Sequence, residues 1–178
     1  MSRILILHSS VDGHTLRICD HLRALAAQAG HDVTLLPLSD NLGIDLASYD
    51  SVVVGASIRY GKHRAYVAEF LRARRQVLEG KRSAFFSVNI VARKPDKNTP
   101  ETNPYVRKFL KQIGWRPRLL AVFAGKLDYP SYDFWDRNVI RFIMLMTSGP
   151  TDTAAVVEFT DWNQVEAFGR SIARTPPG

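Results

Sequence analysis

The hydrophobic positions of this chain come in two rhythms. Short unbroken apolar runs alternate with longer stretches in which apolar residues return every three or four positions. The runs are Ile4-Leu5-Ile6-Leu7, Ser51-Val52-Val53-Val54-Gly55, residues 83–89 around Phe85 and Phe86, and residues 119–125; residues 32–37 add a short, more polar strand. A strand buried on both faces reads this way, so each run is expected to lie in a parallel sheet. Between the runs, Ile18, Leu22, Leu25, Ala26 and Ala29 recur at helical spacing until Gly30, which is expected to close the first helix. Tyr66, Val67, Phe70, Leu71, Val77 and Leu78 predict a second helix with Arg72, Arg74 and Arg75 on its wet side, and Tyr105, Val106, Phe109, Leu110 and Ile113 a third. Residues 156–159 are strand-like. Asp161-Trp162-Asn163-Gln164 opens a last helix with a capping pattern and core positions Trp162, Val165, Phe168 and Ile172. Residues 176–178, Pro-Pro-Gly, predict a frayed tail.

Strands alternating with helices predict an α/β fold, a doubly wound parallel five-stranded sheet with helices on both faces. A helical insertion at about residues 126–153 falls before or within the last strand. No repeat or linker divides the 178 residues, which read as a single domain. In such a sheet ligands sit beyond the C-terminal ends of the strands, where strand order reverses. Three loops meet there: residues 9–15, residues 55–61, and the segment from Ser87 onward.

The first loop is Ser9-Ser10-Val11-Asp12-Gly13-His14-Thr15. Its hydroxyls and the free N–H groups of a helix start suit a phosphate dianion without a fixed cation, and Gly13 lets the backbone come close. It contains neither G-x-G-x-x-G nor a Walker sequence. Ser10-x-Asp12-Gly13-x-Thr15 instead resembles the flavodoxin loop T-x-T-G-x-T, which holds the phosphate of FMN. Asp12 stands where threonine is usual and is expected to turn away and cap the helix. The same resemblance puts Ser57, Ile58, Arg59, Tyr60 and Gly61 along the flavin ring, with Tyr60 against it. Ser87, Val88 and Asn89 would close the ring site from the third side. Flavodoxin electron carriers usually place an aromatic in this third loop, and residues 88–103 contain none, so an uncovered flavin face is expected to leave room for a flat substrate.

Charge changes the picture. The net charge of +7 calls for an anionic partner, whereas flavodoxin-type carriers are commonly acidic. Arg93, Lys94 and Lys97 stand in the third loop against Asp96 and Glu101 only, and with Arg59 they are expected to bind substrate carboxylates or to tune the flavin. One cysteine, Cys19, gives no disulfide framework, and His8, His14, His21, His31 and His63 lack ligand spacing, so no metal is expected. Neither a leader nor an apolar run of about 18 residues appears, so secretion and a membrane span are not expected. Residues 134–147 of the insertion are almost wholly apolar behind a cap at Asp133 and Asp136. At about 1.5 Å per residue this helix spans roughly 21 Å, short of a hydrocarbon core of about 30 Å. An interfacial position, a tetrapyrrole or quinone pocket, a dimer interface and simple completion of the core all suit it.

The stretches GASIRYG, SVNIVARKP, WRP before a strand, AGKLDYPSYDFWDR and TDTAAVVEFTDW resemble those of the bacterial flavodoxin-type protoporphyrinogen IX dehydrogenases. The resemblance implies FMN as cofactor, protoporphyrinogen IX as substrate, and menaquinone or ubiquinone as acceptor, in haem synthesis. It also implies a peripheral position on the cytoplasmic face of the inner membrane. The cofactor would carry the redox chemistry, so no catalytic side chain is assigned. A homo-oligomer is compatible with all of this. A one-electron carrier or a nicotinamide-dependent quinone reductase would share the fold. A nucleic-acid partner is not expected, because the cations are not interleaved with aromatic stacking platforms.

Overall fold

The structure, a computed structural model, describes residues 1–174, and the expected tail at 176–178 lies outside the described residues. Five strands form the main sheet: β1 (Arg3–Ser9), β2 (Asp32–Pro37), β3 (Ser51–Ser57), β4 (Arg82–Asn89) and β5 (Leu119–Ala124). They pair in the order β2-β1-β3-β4-β5, all parallel. Strand side chains alternate between faces, and the sequence uses both. Leu5, Leu7, Val52, Val54 and Phe85 pack on one side with Phe70, Phe109 and Trp115. Ile4, Ile6, Val53 and Phe86 pack on the other with Ile18, Cys19, Leu22, Val165 and Phe168. The first layer is carried by α2 (Ala65–Ala73), α3 (Arg75–Gly80) and α4 (Pro104–Ile113), the second by α1 (His14–Gln28) and α6 (Trp162–Arg174). Gly55 is required at its place in β3, because a Cβ there would stand 2.2 Å from Cζ of Phe86.

Three expectations need correction. The second helix is two helices, broken at Arg74 (φ −102°, ψ 6°), and the change of direction buries Leu78 in the core while leaving Val77 exposed. Residues 156–158 do not join the main sheet. They form β7 (Val156–Glu158), antiparallel to β6 (Lys126–Asp128), and this three-residue ribbon stands beside β5 at the root of the insertion. Asp12 does not cap α1. Gly13 occupies the N-cap position with φ 77°, no side chain caps the backbone N–H groups of the first turn, and the left-handed turn directs Asp12 toward Arg59.

The insertion has its own small core of Leu127, Tyr129, Tyr132 and Met144. Its helix α5 (Phe134–Met146) starts where the Asp133 carboxylate accepts the Asp136 N–H at 2.8 Å, as the cap pattern predicts. Arg137 donates to the carbonyls of Tyr129 and Tyr132, holding the helix start against the preceding turn. Asp136, Ile140, Ile143 and Met144 share the inner face at helical spacing. Outward stand Phe134, Trp135, Val139, Phe142, Leu145 and Met146, all exposed. Among the described residues no helix is long and apolar enough to cross a membrane.

Candidate functional site

Beyond the ends of β1, β3 and β4 lies a cleft of about 920 Å³ that opens widely to solvent and includes the space at its mouth. Its polar end is Ser10, Asp12, His14 and Thr15. His14 and Thr15 begin α1, whose first N–H groups lack intrahelical acceptors and carry the positive end of the helix dipole. The Ser10 hydroxyl is buried without a protein partner, a situation that costs about 1–3 kcal/mol unless a ligand supplies one. Gly13 has open space where a side chain would stand.

The second loop forms the middle of the cleft with Ser57, Ile58, Arg59, Tyr60 and Gly61. Arg59 and Lys62 exchange backbone hydrogen bonds at 2.9 and 3.1 Å, and the turn between them holds Tyr60 at φ 51° and Gly61 at φ 74°. A left-handed tyrosine is uncommon, and the tight turn imposes it. Its ring is exposed at the mouth. Val88 and Asn89 of the third loop also line the cleft. Asn89 Oδ1 accepts from the Ala92 N–H and from Asn103 Nδ2, both at 3.1 Å, while Asn103 caps α4 and donates to the Lys97 carbonyl. These two buried asparagines brace the third loop.

Other expected contacts stand elsewhere. Ser9 and Ser87 lie behind the cleft wall, where strand alternation points their side chains into packed layers. Ser9 Oγ is 2.7 Å from the Tyr66 hydroxyl and Ser87 Oγ is 3.0 Å from His63 Nε2. Val11 and Gly13 shape the first loop but are not among the residues lining the cleft. Arg93, expected to meet substrate, instead donates to the Thr147 carbonyl and hydroxyl at 2.9 Å each and to Ile90 O, at the C-terminal end of α5. That is where a cation best meets a helix dipole. Lys94 and Lys97 are absent from the cleft lining. The aromatic missing from residues 88–103 is supplied two positions later by Tyr105 in α4, whose Cε1 lies 3.4 Å from where a Gly61 Cβ would stand.

Residues the loop motifs did not indicate complete the wall: Lys126, Leu127, Tyr132, Ile140, Ile143 and Met144, all from the insertion. Arg59 ties this wall to the first loop. Its guanidinium pairs with the Asp136 carboxylate of α5 and, at 3.4 Å, with Asp12. Lys126 Nζ sits 2.7 Å from the Asp128 carboxylate and holds it below the usual carboxylate range. At the polar end His14 Nε2 is 2.6 Å from the Thr160 hydroxyl, which itself donates to the Ala124 carbonyl at 2.7 Å. The hydroxyl proton is thus committed, so His14 donates from Nε2 and leaves Nδ1 as an acceptor. Burial lowers the His14 pKa, opposed by Glu158 and reinforced by Arg17 and Lys126, which keeps the ring neutral.

A family model described as the flavodoxin domain matches residues 5–154. A Leishmania major protein named protoporphyrinogen IX dehydrogenase [quinone] is 44% identical over 98% of this chain and 76% of its own length. An Escherichia coli K12 protein of the same name is 44% identical over 96% of this chain and 94% of its own. Among solved structures, flavodoxin 1 of Bacillus cereus superposes with a TM-score of 0.55 at 16% identity, covering 98% of this chain and 100% of its own. An archaeal flavodoxin gives 0.53 at 15%, covering 96% of each chain. The fold is the flavodoxin fold, and the chain belongs to the flavodoxin-domain family of quinone-dependent protoporphyrinogen IX dehydrogenases.

Proposed function

We infer that this chain oxidises protoporphyrinogen IX to protoporphyrin IX through a bound FMN and passes the electrons to a respiratory quinone. The observation that carries the reading is the cleft itself, polar at the phosphate loop and walled on the far side by apolar residues of the insertion. The residues present fit FMN. Ser10 offers a buried hydroxyl with no other partner, Thr15 is buried beside the start of α1, and Tyr60 and Tyr105 provide flat faces in the ring region. When bound, FMN accepts two electrons at a time from a carbon–hydrogen donor, chemistry that no side chain here supplies. The chain's own part is to bind and orient. The first loop and α1 hold the phosphate end, the second and third loops fix the ring edge, and Ile140, Ile143 and Met144 offer a dry surface to a flat apolar macrocycle. Each two-electron step on the substrate is matched by one quinone reduced to quinol.

A peripheral position on an anionic membrane surface belongs to the same proposal, and the exposed apolar face of α5 supports it together with the +7 charge. The test is anaerobic turnover of protoporphyrinogen IX by the flavin-loaded protein. Porphyrin fluorescence should rise far beyond the flavin content only when a quinone is added. Oxidation that never exceeds one equivalent per flavin, with quinone present, would refute the assignment.

A further inference from the structure

We propose that Lys126 is the counter-cation of the FMN phosphate in this chain, held on Asp128 until the cofactor arrives. The inference rests on the cleft being an FMN site. A hydroxyl-and-amide loop binds a dianion through partial charges alone, and this loop also carries the Asp12 carboxylate. Arg59 already pairs with that carboxylate at 3.4 Å, and the cations near the loop differ in how far each is free to meet an arriving dianion. Arg59 is held by both Asp12 and Asp136. Arg17 is held by Glu158 at 2.9 Å and lies over the Trp162 ring. Lys126 has one acidic partner, Asp128, on a flexible four-carbon stem.

Position supports the same choice. Lys126 lines the cleft that Ser10, His14 and Thr15 line. Its backbone is anchored there, since Ala124, two residues earlier, accepts from Thr160, and Thr160 accepts from His14 in the first turn of α1. The Lys126 charge reaches the His14 ring. Ser10, which lines the same cleft, has a buried hydroxyl without a partner. An anion arriving at Ser10 and the start of α1 would compete with Asp128 for the ammonium.

The test uses the full chain stripped of flavin, with FMN and riboflavin binding followed by quenching of flavin fluorescence. Lys126→Met keeps the stem and removes the charge. It should weaken FMN about 10- to 100-fold, as expected for a lost charge-assisted contact, and leave riboflavin affinity unchanged. Lys126→Arg should keep most of the FMN affinity, and Asp128→Asn should tighten FMN by freeing the ammonium. Added salt should weaken FMN binding to the wild type more than to Lys126→Met. Equal losses for FMN and riboflavin would make Lys126 a structural part of the wall and overturn the proposal. Unchanged FMN affinity would overturn it as well, and if the KM for the diacid substrate then rose while that for its ester did not, the lysine would serve the substrate. A wild type that binds FMN no better than riboflavin would overturn the phosphate site itself, whereas tight FMN binding that ignores residue 126 would overturn only the lysine's role.

Discussion

Replacing Trp135 and Phe142 by serine tests what the outer face of α5 is for. The two side chains are 76% and 61% exposed, one helical stripe apart by seven residues. Taking roughly 150–250 Å² for each aromatic, they show about 300 Å² to solvent together. At about 25 cal/mol per Å², complete burial in lipid would be worth about 7 kcal/mol. An interfacial helix immerses its face only in part, so about half, or roughly 4 kcal/mol, is a fair expectation. That is a change of about a thousandfold in partition. Because so little of either side chain touches protein, the double variant should shift Tm by less than about 3 °C. Sedimentation with vesicles containing anionic lipid should find the wild type bound and the variant in the supernatant. Turnover with vesicle-borne quinone should fall, and turnover with a water-soluble acceptor should not. Unchanged vesicle binding would refute the assignment of this stripe to lipid. A Tm loss above about 8 °C would show that the stripe is packed against protein in solution.

Three further outcomes are expected. Ser10→Ala combined with Thr15→Val should cost FMN affinity by about 1.5–3 kcal/mol for each lost phosphate contact, measured by flavin retention on desalting. Arg93→Met should lower Tm by about 5 °C and expose residues 147–153 to protease, since its guanidinium holds the end of α5, whereas Lys94→Gln with Lys97→Gln should leave the substrate KM unchanged. His63, packed against Phe85 and Phe109, has its pKa pushed down by burial to about 4. The unfolded chain therefore binds one more proton than the folded one between about pH 6.5 and 4. Stability contributed by the neutral ring is present above that window and lost as pH falls through it, at up to about 1.4 kcal/mol per pH unit, and His63→Gln should flatten this slope in urea melts.

The sheet and most helices were legible because their signals are local. A strand buried on both faces must be apolar at successive positions, which made β1, β3 and β4 plain, while the edge strand β2, with Asp32 and Thr34, followed from its place between a helix and a turn. The three cleft loops followed from topology, since parallel strands deliver their C-terminal ends to one edge. What stayed hidden depends on pairs far apart in sequence. Arg59 and Asp136 are joined only by the fold, as are His14 and Thr160. No periodicity announces either contact. Counting cations in the third loop misled for a related reason. Charge in a segment does not say where the side chains point, and the Arg93 side chain runs to the end of a helix fifty residues on. The aromatic lies two residues beyond residues 88–103, in the first turn of α4, from which Tyr105 reaches back over Gly61.

The inserted helix joins the two halves of the reading. Its inner face, with Ile140, Ile143 and Met144, is a wall of the cleft, while its outer face shows Trp135, Phe142 and Met146 to the surroundings. A helix only 13 residues long cannot separate these environments by much, for its body is about 10–12 Å across. If lipid covers the outer face, the cleft mouth lies within one helix diameter of the membrane surface. An apolar quinone would then need no passage through water to reach the ring region. The Arg59–Asp136 pair gains a second meaning from this position, because it is the polar tie between α5 and the first loop. Cutting it with Asp136→Asn leaves Arg59 with Asp12 alone and lets the helix start drift from the cleft. The expected result is a higher KM for quinone and looser tryptophan anisotropy at Trp135, with FMN retained. Loss of FMN at unchanged quinone KM would mean that the pair serves the cofactor loop and that the helix is positioned without it.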